Sequence, residues 1–87
     1  MTEKMSDKER FLYIQGMAIG RLNTFSMDIA SEITTKPPEF ILRQYATFLG
    51  MKRFAVDIEL LTQEQVDQIK SPYEIMMYDN KDDGSEE

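Results

Sequence analysis

The chain has 87 residues, 41% hydrophobic and 30% charged, with a net charge of −6 and neither His, Cys nor Trp. This is the composition of one small globular domain. It excludes a disulfide framework, a cysteine nucleophile, an imidazole base and nearly every transition-metal site. The acidity is concentrated at the end: residues 79–87 hold five acids against Lys81, so residues 1–78 carry only −2 and no basic footprint for nucleic acid.

The first ten residues are polar and mixed in charge, unlike the basic-then-apolar order of a signal peptide, and no apolar run is long enough for a bilayer span. Together with the absence of cysteine this predicts a cytoplasmic protein. Ser6-Asp-Lys-Glu9 is a capping box and should start a helix. Phe11, Ile14, Ala18, Leu22, Phe25, Ile29 and Ile33 follow at spacings of three and four, which makes one apolar stripe. The pattern runs to about Thr34, on the order of 40 Å if unbroken. Asn23-Thr24 is its weak point, where Thr24 or Ser26 would cap a second helix.

The same helix has a second character on its back. With Phe11 at 0°, the stripe centres near 20°, whereas Gly16 falls at about 140° and Gly20 at about 180°, beside Tyr13 and Met27. Two glycines inside a helix cost about 1 kcal/mol each relative to alanine, which the close approach of another backbone offsets. Tyr13, Gly16, Met17, Gly20 and Met27 are therefore the candidate partner-binding residues. The competing reading is that a C-terminal element of the chain itself covers this back face.

Lys36-Pro37-Pro38 ends the first segment and opens a helix over Pro38–Leu49, with Ile41, Leu42, Tyr45, Phe48 and Leu49 as its apolar face. Gly50 suits the left-handed position just past its end. Over Arg53–Leu61 a strand and a helix fit about equally. Phe54, Val56, Ile58 and Leu60 alternate with polar or small residues, and a helix would put Val56 on its outer face. Thr62-Gln-Glu-Gln65 is a second capping box and predicts a short helix through about Lys70, stopped by Ser71-Pro72. Tyr73–Tyr78 reads as a last helical turn or as the strand that pairs with residues 53–60. The expected fold is mainly α: a small helical bundle of three to four helices, with a short two-stranded β element in the C-terminal half as the alternative. Residues 1–78 form the single domain and 79–87 an acidic disordered tail.

Chemistry-bearing patterns are sparse. Asp57 with Glu59 and Glu64 with Asp67 are paired carboxylates, but on polar faces of short elements, with little room for a cleft. Asp79–Glu87 is rich in oxygen donors yet lacks the twelfth-position Glu and following helix of a calcium loop. No phosphate-binding glycine loop is present, so neither a cofactor nor a metal is expected. Met76-Met77 between Tyr73 and Tyr78 is either core or a sticky patch.

Two functions remain. The first is a non-enzymatic protein–protein interaction module, a regulator, inhibitor or adaptor that docks apolar helix faces on another protein, with a homodimer through the Gly16/Gly20 face as one form. The alternative is a helix-turn-helix regulator using residues 26–49, with Lys36, Arg43, Lys52 and Arg53 as its phosphate contacts. Four bases make a thin footprint, so nucleic acid is the less favoured partner.

Overall fold

The computed structural model describes residues 5–77. They are mainly helical: α1 is Asp7–Glu32, α2 is Pro38–Asp57 and α3 is Gln63–Asp67. Residues 72–77 are helical as well, and no strand occurs among the described residues. The expected disordered tail, residues 79–87, lies outside them.

α1 begins where its capping box says it should. The Ser6 amide donates to Glu9 Oε1 at 2.9 Å, and the Glu9 amide donates to Ser6 Oγ at 3.1 Å. The helix runs unbroken through Asn23-Thr24, so the expected division there is corrected. Its buried residues, Leu22, Ser26 and Ile29, keep one face of that segment against the rest of the chain. Tertiary burial of this kind outweighs the weak intrinsic preference of Asn and Thr.

Pro38 occupies the first turn of α2, where its missing N–H is not needed. α2 then continues eight residues past the expected end at Leu49. Ile41, Phe48 and Ala55 recur every seven residues and are all buried, a helix seam that carries straight through Gly50 and the ambiguous stretch. The strand reading of residues 53–60 is thereby corrected: Ala55 is buried while Phe54 is exposed, the opposite of what alternation requires. Val56 is half-buried beside Ala55, so a helix does not strand it in water.

The left-handed residue is Glu59, with φ 63°, and not Gly50. Around it the Leu60 amide donates to the Ala55 carbonyl and the Glu59 amide to the Val56 carbonyl, both at 2.9 Å, which is the Schellman pattern. A side chain at this φ is strained, so Glu59→Gly is expected to stabilise the fold by about 1 kcal/mol. Thermal unfolding should show a rise of roughly 4–8 °C in Tm, and Glu59→Ala should show none of it.

α3 carries the second predicted capping box, with the Gln65 amide donating to Thr62 Oγ1 at 3.0 Å, but it ends at Asp67, short of Lys70. A third box, Ser71-Pro-Tyr-Glu74, opens the 72–77 segment: the Ser71 amide donates to Glu74 Oε1 at 2.8 Å and the Glu74 amide to Ser71 Oγ at 3.1 Å. Ser71-Pro72 thus starts a helical segment as well as ending the previous one.

α1 and α2 form an antiparallel hairpin. Phe25 meets Phe48 edge-on at 6.1 Å near its middle, and Gln15 Nε2 donates to the Leu60 carbonyl at 2.8 Å near α1's N-terminal half. Leu61, Val66 and Ile69, all buried, join the hairpin's core as the chain runs back along it. Fully enclosed Ser26 is satisfied there by donating to the Lys70 carbonyl at 2.6 Å. Tyr45 links Phe48 to Tyr73, with ring centroids 6.3 and 5.2 Å apart, and so ties the 72–77 segment to α2. Because α2 and its turn are used up near Gln15, the first two turns of α1 extend past the core.

Candidate interaction surface

The back of α1 carries the candidate partner-binding residues, and the described residues leave it open. Tyr13 is 58% and Met27 59% exposed, and Met17 is exposed too. A Cβ built at Gly16 or Gly20 would meet nothing within 4 Å. No element among the described residues covers this face, so neither α3 nor residues 72–77 is the C-terminal cover that the competing reading expected. Nor does any backbone among the described residues approach the two glycines. The face is also diluted by Arg10, Thr24 and Ser31, so its apolar side chains are separated rather than contiguous.

A second apolar surface, which the sequence did not announce, lies on another side of α1. Between α1 and α2 runs a groove of 380 Å³, walled by Ala18 and Leu22 from α1, Met51 and Phe54 from α2, and Ile58 and Leu60 from the turn. Arg21 and Thr47 are the polar side chains on its lining. Gln15 holds the turn in place through its bond to Leu60. Phe54 is 62% and Ile58 51% exposed, so the walls stand in water. One turn further along α1, Ile14 and Phe11 continue the apolar stripe, 43% and 45% exposed, past the point where α2 stops covering it. Single exposed apolar side chains are ordinary; here they follow the same stripe of α1 that lines the groove.

Compared with known families, curated proteins and solved structures, this chain matches none. What the surface can do is therefore read from its own chemistry. No helix among the described residues is long and apolar enough to cross a membrane. No group of three or more acids that could hold a metal ion occurs among them. The paired carboxylates are on the outside: Asp57 lies 4.0 Å from Arg53, and Asp67 accepts from Gln63 at 2.9 Å. The oxygen-rich stretch 79–87 lies outside the described residues. Met76 is half-buried and Met77 is exposed.

The four candidate phosphate contacts are not brought to one side. Arg43 and Lys52 are nine residues apart on α2, half a turn out of phase. Lys52 is folded over the Phe48 ring at 5.2 Å and Lys36 over Phe40 at 5.4 Å. Arg53 leans toward Asp57. The helices that would form the DNA-reading unit are instead two long antiparallel rods.

Proposed function

We propose that the protein is a small, non-enzymatic interaction module that accepts an apolar helix of a protein partner in the α1/α2 groove. The observation that carries this reading is the exposed groove wall of Met51, Phe54 and Ile58, together with Phe11 and Ile14 exposed on the same α1 stripe as the groove's Ala18 and Leu22. A helix laid into such a track buries anchors at spacings of three, four and seven. The groove has no converging set of polar groups for binding and turning over a small substrate. The action is steric: occupying or presenting a helix. The acidic residues 79–87 would favour partners whose rim is basic. A cytoplasmic setting fits a chain without cysteine.

The test is retention on the tagged protein, using native-cell extract supplemented with the untagged chain. A protein held by wild type, whether foreign or a second copy, is expected to fall at least tenfold on Phe54→Glu, since a carboxylate in an apolar contact loses its hydration without a partner. Circular dichroism should be unchanged, because Phe54 is outside the core. Equal retention by both forms, or nothing retained by either, would overturn the reading.

A further inference from the structure

We infer that the helix received by the groove is α1 of a second copy of this chain, paired antiparallel about a two-fold axis at Ile14. This rests on the interaction reading above and names its partner.

The first argument is self-complementarity. Asp7, Ile14 and Arg21 recur every seven residues and so lie along one line of α1. An antiparallel pairing centred on Ile14 sets Ile14 on Ile14, Phe11 against Met17, and Asp7 opposite Arg21. By symmetry each contact off the axis occurs twice, as an isologous interface requires. The centre is apolar and each end carries one acid and one base. Arg21 stands on the lining of the groove, so the incoming first turn of α1 would reach it there. Within one chain Asp7 and Arg21 are fourteen residues apart, about 21 Å along a straight helix, and cannot pair. Neither makes an ion pair among the described residues.

The second argument is that the ridge and the groove are incomplete separately. Residues 7–14 of α1 are all exposed and precede the Gln15 bond to the turn after α2, and helical turns without tertiary cover are marginal in water. Laid over the second copy at this register, they run along its residues 14–21, beside Ala18, Met51 and Phe54. The fourteen residues outside the described part have Met1 and Tyr78 as their only large apolar side chains, too few to fill the groove.

The third argument is area. Phe11, Ile14, Met17, Met51, Phe54 and Ile58 are each 40% or more exposed. Together they offer on the order of 500 Å² of apolar surface, and the flanking Arg10 and Arg21 bring the patch toward the roughly 800 Å² per partner of a standard interface. The product is two hairpins side by side, a four-helix arrangement with α1 at its centre.

Sedimentation equilibrium of the full chain over about 1–200 µM should show a dimer. Ile14→Glu should convert it to monomer with unchanged circular dichroism. Asp7→Arg and Arg21→Asp should each raise the dimer Kd about tenfold, and the double variant should return to within about threefold of wild type, because the pair is restored with its signs exchanged. A monomer throughout the range, indifference to Ile14→Glu, or no rescue in the double variant overturns the inference. A monomer that still retains a foreign protein in a Phe54-dependent way discards the second copy and leaves the interaction reading standing.

Discussion

Phe48→Ala is expected to remove about 3–5 kcal/mol of stability, the largest loss from any single truncation in this chain. The ring is 0% exposed and sits in the core between α1 and α2. Phe25 meets it from α1 with centroids 6.1 Å apart, Tyr45 stacks on it at 6.3 Å, and the Lys52 ammonium lies 5.2 Å from its centre. Truncation therefore leaves a cavity and also unseats the aromatic chain through Tyr45 to Tyr73 that holds the 72–77 segment. A domain of this size has roughly 4–13 kcal/mol in total, so the variant should lie close to its unfolding midpoint in water. Urea titration is the measurement, and the midpoint should fall with little change in slope. Phe54→Ala is the control: the same chemistry at a 62% exposed site should change stability by less than about 1 kcal/mol. Similar losses at the two positions would mean that the 41-48-55 seam is not the core.

Much of the fold was legible because its signals are local. The boxes at Ser6 and Thr62 and the proline at 38 each fix a helix start through one or two backbone amides, with no need of tertiary information. The stripe Leu22, Phe25 and Ile29 likewise faces inward as its period requires. The end of α2 was not legible, for a definite reason. Gly50 has the residue type of a helix terminus, and Glu59, which performs that role, does not. Only packing distinguishes them: Ala55 fits under the core as the next member of the Ile41–Phe48 series, and its burial keeps the helix going through the glycine. The alternation of Phe54, Val56, Ile58 and Leu60 was a coincidence of spacing within a helix end and a tight turn.

The same boundary hid the groove. Once α2 is ended at Leu49, Met51 lies past the helix and Phe54 and Ile58 fall in a stretch that fits strand or helix about equally, so no wall is placed beside Ala18 and Arg21. The back-face residues Tyr13, Gly16, Met17, Gly20 and Met27 were identifiable as small or apolar from one helix alone. Whether anything lies against them depends on where residues 60–77 travel, and these go to the other side, with Ser26 bonded to the Lys70 carbonyl. An unusual helix face can thus be read from sequence, whereas a surface made by two elements appears only when both lengths are right.

Gly16→Ala, Gly20→Ala and Gly50→Ala together are expected to stabilise the monomer by about 2–3 kcal/mol, read as a rise in Tm on the order of 10–20 °C. All three lie inside helices, none has positive φ, and a Cβ at each would meet nothing within 4 Å, so the gain in helix propensity meets no steric opposition. The three should then separate by their effect on association. Gly16 and Gly20 are turned well away from the line through Asp7, Ile14 and Arg21, so alanine there should leave the dimer Kd within about threefold of wild type. If the back face were the interface, the same two methyl groups would enter a close backbone contact and weaken association instead. Gly50 is different, because it lines the groove. Alanine at that position should stabilise the free chain while raising Kd, which would account for a glycine kept in the middle of a helix where no turn and no crowding within the chain calls for one.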